Sequence, residues 1–364
     1  MKFNNYQLED LIICYDNKRK PLSAMQRETR KGNYPYYGAQ EIIDSIDNFI
    51  FDGKYILLAE DGENLRSNVK PIANLVSGKF WLNNHAHIFQ TNEKCVLEYL
   101  YYLLLNTDIK PYITGTTQPK LNQSNMLKIN LKIPNIYYQK QAVKILKNID
   151  KKINLNTHTN NNLLQLGDLI YNNFFNDSKK EWSVKTLKEI SNNFDSKRKP
   201  MSSREREEHK GTYPYYGATS IIDYVDNYLF DDTYILMGED GTVITDDNKP
   251  VLQYIWGKFW ANNHAHVLQG SIVSNEYLYF ALRNTDVKSL VTGAVQPKIN
   301  QENMNKLKFI IPDQDNLKIL ENSLSILMKK YKENCCKIST LEQIRYTLLP
   351  KLMNGEIDLD KVEI

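Results

Sequence analysis

The sequence predicts an α+β chain of two similar mixed α/β units, each followed by a long helix. Three observations predict this fold class: a repeat of domain length, strand and helix patterns within each copy, and a heptad seam after each copy. The 364 residues are enough for two domains with separate cores. The 41% hydrophobic and 24% charged residues are typical of globular proteins rather than disordered ones.

The repeat has the period of a whole domain rather than of a solenoid unit. The offset between the copies is 179 residues and falls to 178 after one deletion. It therefore indicates two copies of one domain in a single chain. The matching segments are DNKRKPLS and DSKRKPMS from Asp16 and Asp195, KGNYPYYGA and KGTYPYYGA from Lys31 and Lys210, GKFWLNNHAH and GKFWANNHAH from Gly78 and Gly257, and TGTTQPKLNQ and TGAVQPKINQ from Thr114 and Thr292.

Each copy contains both strand and helix patterns. YILLAEDG at 55–62 and YILMGEDG at 234–241 predict apolar strands that run into Asp-Gly turns. EYLYYLLLN at 98–106 and EYLYFALRN at 276–284 predict short buried helices. The predicted boundaries are 1–137 and 179–315 for the mixed units, and 138–178 and 316–364 for the long helices.

A heptad seam runs through each helical segment. Asn156 and Asn334 fall at the same register, where a buried Asn lowers stability but fixes alignment. Each helix is predicted to run about 34 residues, or about 50 Å. The helices either pack on their own domains or pair with each other, and the matched register favours pairing. An antiparallel pair would place a pseudo-twofold axis across it. The seams are Leu146, Ile149, Ile153, Asn156, Asn160, Leu163, Gly167 and Ile170, and Leu324, Leu327, Tyr331, Asn334, Ile338, Leu341 and Leu348, the latter interrupted by Arg345.

The composition indicates where the protein acts in the cell, but it does not identify the molecule that the protein binds. The net charge of +3 tolerates an acidic partner without requiring one. The N-terminal stretch has no apolar core of a signal peptide, and the longest apolar runs are too short to cross a bilayer. Cys14, Cys95, Cys335 and Cys336 show no paired spacing. We therefore expect a protein of the reducing cytoplasm, without a membrane partner.

Two catalytic interpretations of the repeated motifs are not supported by the sequence. The segment from Asn33 to Tyr36 is similar to the motif that grips the target amine in DNA-base methyltransferases, but Thr212 replaces Asn33 in the second copy. The sequence also lacks a Gly-rich cofactor loop, so this chain is not expected to transfer methyl groups. The pairs Glu60-Asp61 and Glu239-Asp240 invite a nuclease interpretation, but the glycine after each pair favours a tight turn.

The repeated histidines invite a metal interpretation. On a strand, His85 and His87 would share one face, as would His264 and His266. Zinc needs further ligands, and no cysteine lies near, so we expect no metal. The alternatives are a histidine satisfied in the core, or an Asn-Asn-His segment that presents polar groups to DNA.

Repeated basic and polar loop residues are the better binding candidates. Lys and Arg bind phosphates, whereas Gln, Asn and Arg read base edges. A charged run is usually only a solvated surface, and its repetition at matching places raises the weight of a functional role. The candidates are Lys18, Arg19, Lys20, Arg27, Tyr36, Asn83, Asn84, His85, Gln118 and Lys120 in the first copy, and Lys197, Arg198, Lys199, Arg206, Tyr215, Asn262, Asn263, His264, Gln296 and Lys298 in the second.

The ordered set of motifs resembles the specificity subunit of type I restriction–modification systems over essentially the whole chain. The resemblance rests on the YPYYGA…IID, EDG, FW…NNHAH and QPK…NQ…IP stretches, each present twice, and on LLPKLMNGEI at 348–357. No single string is decisive, whereas the ordered set occurring twice is specific.

The resemblance implies two target-recognition domains held apart by an antiparallel pair of long helices. It implies that each domain reads one half of a split site in double-stranded DNA, without catalysis. It also implies two modification subunits that methylate adenine with S-adenosylmethionine, and two restriction subunits that cleave with ATP and Mg where the system is complete. The cofactors would belong to those partners, and none to this chain.

The closeness of the two copies predicts a nearly palindromic split site. The copies are not identical, and in one differing segment Asn64 to Asn68 align with Val243 to Asp247. Arg66 could bind guanine, while an Asp could accept from cytosine, so this segment would distinguish the half-sites unless it is solvent-facing drift. Alternatives of another class are a stand-alone endonuclease that uses the Glu-Asp pairs, and a duplicated interaction protein that does not bind DNA.

Overall fold

The computed structural model describes residues 2–39, 41–62, 64–67, 71–115, 117–176, 182–293 and 296–359. The chain folds into two compact units, one comprising Met1–Leu155 with Ile338–Ile364 and the other Asn156–Lys337. Both units mix strands and helices, as predicted. Each long helix contributes to both units, whereas the predicted division separates the helices at residues 137, 178 and 315. That four-segment division stays a prediction.

The mixed part of the first unit is built on a six-stranded sheet. The strand order is β2-β7-β5-β6-β3-β4, in which only β3 and β6 run parallel, while β1 pairs with β8. The elements are β1 (Asn4–Gln7), β2 (Ile12–Cys14), α1 (Ala24–Glu28), β3 (Lys31–Tyr37), β4 (Ile42–Ile46), β5 (Phe51–Ala59), α2 (Asn64–Ser67), β6 (Ala73–Leu82), β7 (Ala86–Thr91), α3 (Leu97–Leu105), α4 (Gln123–Leu127), β8 (Asn130–Ile133) and the long helix α5 (Ile136–Asn176).

The second unit repeats this order with two four-stranded sheets. Their orders are β10-β17-β14-β15 and β12-β11-β16-β13, and β18 pairs with β9. The elements are β9 (Ser183–Thr186), α6 (Leu187–Ile190), β10 (Ser191–Asn193), α7 (Ser203–Glu208), β11 (Lys210–Tyr216), β12 (Ile221–Val225), β13 (Phe230–Asp231), β14 (Tyr234–Gly238), β15 (Leu252–Ile255), β16 (Lys258–Ala261), β17 (Ala265–Gly270), α8 (Asn275–Arg283), α9 (Gln301–Asn305), β18 (Lys308–Ile311) and the long helix α10 (Gln314–Met353).

A glycine explains why the first unit has one six-stranded sheet where the second unit has two four-stranded sheets. In β5, Gly53 has φ +136° and pairs with Gly78, so the strand continues through an irregular point. Asp232 stands at the corresponding position of the second copy, and a side chain opposes such a backbone. There the strand is interrupted between Asp231 and Tyr234.

The two long helices are longer than predicted, with 41 and 40 residues, or about 60 Å each. In the first unit they run antiparallel. The Tyr138 hydroxyl donates to the Leu352 carbonyl over 3.0 Å, and the Arg345 guanidinium lies 2.9 Å from Asp150. Arg345 interrupts the predicted seam because it pairs with this carboxylate on the facing helix.

The buried asparagines of the helices differ from the predicted pair. Asn334 is buried as predicted, but Asn156 is only half-buried. Asn160, one turn further along α5, is buried instead, and its amide donates to the Cys335 sulfur over 3.2 Å. Within the second unit the polar layer is therefore formed by Asn160 and the neighbours Asn334 and Cys335.

Each unit has its own apolar core. In the first unit, Leu352 and Met353 of α10 are buried with Tyr99 and Leu146 beneath the sheet. In the second, the core groups buried residues of α8 with residues of α10 such as Leu324. Among the described residues, every helix is too short or too polar to span a bilayer.

Candidate nucleic-acid interface

The repeated motifs meet at one end of the sheet in each unit. Strands β3 and β6 run parallel and end side by side at Tyr37 and Leu82. The Asn83 amide donates to the Tyr37 carbonyl over 3.2 Å, which holds the Asn-Asn-His segment against the YPYYGA segment. The Trp81 indole donates to the Lys20 carbonyl over 2.6 Å and so fixes the Lys-Arg-Lys segment beside them. The second unit makes the same two contacts, from Asn262 to Tyr216 and from Trp260 to Lys199.

The Glu-Asp turn and the Gln-Pro-Lys loop join this cluster through backbone contacts. The Glu60 amide donates to the His85 carbonyl over 2.9 Å, and the Leu121 amide donates to the Glu60 carbonyl over 2.8 Å. Asp61 and Lys120 form a β-bridge. Segments far apart in the sequence therefore form one surface. The second unit repeats these contacts with Glu239, His264, Ile299, Asp240 and Lys298.

A buried polar network supports this surface. Arg19 lies 2.7 Å from Glu60 and 3.4 Å from Asp16, and Lys120 lies 3.3 Å from Glu60. The fully buried His87 lies with Nδ1 2.6 Å from Asp16 and with Nε2 2.7 Å from the Leu121 carbonyl. The buried ring thus links the Asp16 carboxylate to the backbone of the Gln-Pro-Lys loop. The network of the second unit is Asp195, Arg198, Glu239, His266 and Lys298.

The aspartates of the network are held in the ionised form. Burial raises the pKa of Asp16, but the hydrogen bond and charge of His87, the Ile88 amide and the charge of Arg19 together lower it further. The net pKa of Asp16 therefore lies below its ordinary value. The pKa of Asp195 is lowered in the same way, against its own burial, by His266, the Val267 amide and Arg198.

The network favours ion pairing over metal binding. Ligand atoms of Asp195, Glu239 and His266 lie within 4.8 Å of one another, a spacing that could hold a cation. Arg198 already lies 2.6 Å from Glu239, and Lys298 lies 3.2 Å from the same carboxylate. The positive charge that these acids require is thus supplied by side chains.

The expectation that His85 and His87 share one strand face is wrong. Strand β7 begins only at Ala86, and His85 lies in the preceding turn, where the Asn83 side chain accepts from the His85 amide over 2.8 Å. The His85 side chain is 51% exposed and lies 2.7 Å from Asp61, whereas His87 is buried. The turn therefore separates a surface histidine from a core histidine, and the same holds for His264 and His266.

About half of the predicted binding residues are exposed on this surface, which we call the motif face. These side chains surround the turn that the network fixes, and they carry ammonium, imidazole and amide groups that suit phosphate and base edges. The motif face comprises Lys18, Lys20, Asn84, His85, Gln118 and Lys120 in the first unit, and Lys197, Lys199, Asn263, His264, Gln296 and Lys298 in the second.

Two kinds of predicted binding residue are buried instead. Tyr36 is 1% exposed, and its hydroxyl accepts from the Leu22 amide over 2.9 Å. Asn83 is 5% exposed and shapes the turn before His85. Their side chains support the motif face from below rather than facing solvent. Tyr215 and Asn262 lie in the same environments in the second unit.

The four repeated arginines among the predicted binding residues are paired with acids. Arg19 is mostly buried in the network, and Arg27 lies 3.1 Å from Asp44 and donates to the Leu22 carbonyl over 2.8 Å. The Arg27 guanidinium also lies 5.2 Å from the centre of the Tyr36 ring. These arginines brace the loops, as do Arg198 and Arg206 in the second unit.

The segment that differs between the copies, residues 64–68 and 243–247, is called the variable segment below. It differs in structure as well as in sequence. In the first unit it forms α2, where Leu65 is buried and the exposed Arg66 donates to the Gly115 carbonyl. In the second unit, Val243 is buried and Asp247 accepts from the Thr245 hydroxyl over 2.5 Å. Asn68 lies outside the described residues.

Sequence reasoning missed Asp16 and Asp195, the acids at the centre of each network. Each begins the repeated Asp-x-Lys-Arg-Lys-Pro motif, so the repeat itself carried the signal. The Lys and Arg drew attention as binding groups, whereas the Asp before them anchors Arg19 or Arg198 in place.

Comparison with known proteins agrees with this arrangement. The family model for the type I restriction modification DNA specificity domain matches residues 1–165 and 179–334. A type I restriction enzyme specificity subunit of Haemophilus influenzae is 34% identical over 139 residues, a match that spans 38% of this chain and only 35% of that relative. The specificity subunit of the type I restriction enzyme MjaIX of Methanocaldococcus jannaschii is 22% identical over 73% of this chain and 70% of its own length.

A solved structure shares the fold over the whole length. The S subunit of a type I restriction–modification system from M. genitalium superposes with a TM-score of 0.61 and 18% identity, covering 97% of this chain and 96% of that one. The duplicated family match, the repeated mixed units with their long helices and this fold agree with the resemblance seen in the motifs. The chain belongs to the family of type I restriction–modification DNA specificity subunits.

Proposed function

We propose that this chain is the non-catalytic subunit that reads a split, nearly palindromic site in double-stranded DNA. Each unit reads one half-site through its motif face, with lysines on phosphates and Asn84, His85 and Gln118 near base edges. In this proposal the chain acts in the cytoplasm and positions adenine methyltransferase subunits, and restriction subunits where they exist. The long helices α5 and α10 dock these subunits and set the unread spacer. S-adenosylmethionine, ATP and Mg are used by the partners.

The duplicated motif face carries the proposal. Five segments that are distant in sequence converge twice on exposed basic and amide groups, over a network with the same residues in both units. A solvated surface needs no such support, because exposed lysines do not depend on one another for their position. A rigid array of donors suits recognition of a fixed pattern.

The network does not favour the alternative of a stand-alone nuclease. Glu60 contacts both Arg19 and Lys120, and Asp61 contacts His85. Both acids of the turn are thus engaged by neighbouring side chains. Purified chain with magnesium is expected to leave plasmid DNA intact, and cutting by the chain alone would support the nuclease instead.

The direct test maps methylated adenine in DNA from cells that carry this chain and a methyltransferase subunit. Single-molecule sequencing is expected to return a motif of two short specified parts with an unspecified spacer. The two parts should be similar in inverted orientation. A contiguous motif, or methylation that does not depend on this chain, would contradict the proposal.

The variable segment supplies a sharper test of which residues set each half-site. Replacing residues 64–68 by the sequence at 243–247 should change one half of the methylated motif and leave the other intact. The matched control is Asn33→Thr, which converts another exposed difference between the copies into its counterpart and should leave the motif unchanged. An unchanged motif after the segment exchange would assign that segment to solvent-facing drift.

A further inference from the structure

The hairpin after the YPYYGA segment exposes an isoleucine pair in both units. Ile42 and Ile43 begin β4 and are 54% and 46% exposed, and Ile221 and Ile222 begin β12 and are 39% and 51% exposed. Ile43 lies at a β-bulge, because Tyr37 pairs with Ile42 and Tyr36 pairs with Asp44, which leaves Ile43 as the extra residue. Exposure of these aliphatic side chains to water does not stabilise the unit itself.

The hairpin tip lies at the same end of the sheet as the motif face. Ile42 pairs with Tyr37, and Tyr37 pairs with Leu82 of the next strand. Asn83 and Asn84 follow Leu82 directly, so the isoleucines lie at the side of the Asn-Asn-His turn. In the second unit, Tyr216 pairs with both Ile221 and Ala261, and Asn262 follows.

A glycine holds the second isoleucine in place. A Cβ atom at Gly38 would lie 3.0 Å from Cγ2 of Ile43, and a Cβ atom at Gly217 would lie 2.5 Å from Cδ1 of Ile222. The isoleucine therefore packs over the bare backbone of the tip while much of it remains exposed. This packing explains the closing glycine of both YPYYGA segments and limits the rotamers of the isoleucine.

A third exposed isoleucine shows that exposure alone does not explain the pair. Ile13 is 49% exposed on β2, at the opposite edge of the sheet. Its counterpart in the second copy is Asn192, so this apolar position is not repeated. The hairpin isoleucines occur in both copies, in the same position and with similar exposure.

The charges around the pair suit a polyanion. Asp44, two residues after Ile42, lies 3.1 Å from Arg27 and 3.0 Å from Lys31, and these contacts lower the pKa of Asp44, chiefly through the hydrogen bond from Lys31. The acid that follows the pair is thus neutralised by two cations, whereas the exposed Glu41, which precedes the pair, is replaced by Ser220 in the second unit. Relative to the isoleucine pair, the lysines of the motif face lie on the side where the Asn-Asn-His turn is located.

We propose that the isoleucine pair of each unit contacts thymine 5-methyl groups in the major groove of the half-site. This inference rests on the proposed function. The thymine methyl is the apolar group that base pairs present in the major groove, and this groove admits a two-stranded ribbon such as the β3–β4 hairpin. Lysines of the motif face would bind the flanking phosphates and hold the hairpin in the groove.

The test replaces thymine by deoxyuridine, which lacks only the methyl group. Duplexes selected from a random pool by the full chain are prepared with thymine or with deoxyuridine in each half-site, and affinity is measured by fluorescence anisotropy at fixed salt. For the wild-type chain, affinity is expected to fall about fourfold for each contacted methyl group, which corresponds to ~0.8 kcal/mol. The Ile42→Ala/Ile43→Ala chain should bind the thymine duplex more weakly and show no further loss with deoxyuridine in one half-site.

Two variants serve as matched controls. Ile13→Ala removes an equally exposed isoleucine from the opposite edge and should keep the full response to deoxyuridine. Ile221→Ala/Ile222→Ala should abolish the response in the other half-site only. Thermal denaturation of each variant verifies folding, and exposed positions on the hairpin are expected to leave it unchanged.

The outcomes separate this inference from the function on which it rests. A wild-type chain that selects a sequence but binds thymine and deoxyuridine duplexes equally overturns the inference alone, as does an equal response in the wild type and the hairpin variant. A chain that selects no sequence overturns both.

Discussion

The two units keep the same motif face but pack their long helices differently. The distance from Arg19 to Glu60 is 2.7 Å, and that from Arg198 to Glu239 is 2.6 Å. By contrast, the helix contact differs in chemistry. In the first unit, Tyr102 and Arg345 both contact Asp150. The corresponding residues of the second copy are Phe280, Gly167 and Met328.

A polar trio in one unit is thus replaced by an apolar trio in the other. Phe280 packs over Gly167, where a Cβ atom would lie 2.2 Å from the ring, and Met328 is buried in the same core. Helix packing accepts either solution because only its surface fit matters. The network under the motif face shows no such exchange between the copies, which indicates that its geometry is what the duplication preserves.

The largest loss of stability is expected when the aspartate at the centre of either network is removed. Asp16→Ala would leave His87 and Arg19 buried without their shared acid and should lower the free energy of unfolding by about 3 kcal/mol. Asp195→Ala should do the same in the second unit. Chemical denaturation of the full chain measures both, with the exposed Asp52→Ala as control. A loss below about 0.5 kcal/mol in either variant, which is typical of surface sites, would contradict equal roles for the two networks.

A somewhat smaller loss of stability is expected when the helix contact of the second unit is disturbed. Gly167→Ala places a methyl group inside the Phe280 ring contact and should lower the free energy of unfolding by about 2 kcal/mol, because the rigid ring cannot make room. The neighbouring Leu166→Ala, on the exposed side of α5, is the matched control and should change little. Equal stability of the two variants would show that the ring moves aside.

Exposed lysines of the motif face should matter for DNA binding and not for folding. Lys20→Ala and Lys199→Ala should each weaken binding by about 1 kcal/mol and reduce the slope of log affinity against log salt by about 1. Salt titrations by fluorescence anisotropy measure both, with the exposed Lys128→Ala as control. If only one of the pair changed the slope, the two faces would not bind DNA alike.

The smallest effect is a shared response to acid. The folded-state pKa values of Asp16 and Asp195 lie below the ordinary value of 3.8, so the unfolded chain binds protons first. Their contribution to stability is therefore complete above pH 3.8 and is lost as the pH falls through the folded-state pKa values. Denaturation midpoints between pH 5 and pH 2.5 should fall less steeply for Asp16→Asn than for the wild type. An identical slope would exclude Asp16 as a source of acid sensitivity.

Patterns of local origin were predictable from the sequence. The strands of YILLAEDG and YILMGEDG, the short helices α3 and α8 and the two long helices follow from periodicity, and the structure confirms each of them. The repeat also located the segments that form the motif face. These features depend on neighbours in the sequence or on comparison between the copies.

Burial at single positions was not predictable in the same way. The aromatic Tyr36 suggested a contact with DNA, but its hydroxyl is taken by the Leu22 amide. The heptad pattern could not decide between Asn156 and Asn160, because both lie on the seam and the facing residue Cys335 selects Asn160. The partners are separated by 14 residues in one instance and by 175 in the other, and periodicity does not show such pairings.

The first unit is completed only by the last part of the chain. Leu352, Met353 and Leu359 are buried in its core, and Tyr138 bonds to a carbonyl 214 residues further along. On a ribosome, domains usually fold in the order in which they emerge. Here the contiguous segment 156–337 can fold before residues 1–155 have been joined by the C-terminal part of α10. Loss of Leu352, Met353 and Leu359 would therefore damage the unit that emerges first, and chaperones would meet that unit without part of its core until these residues have been made.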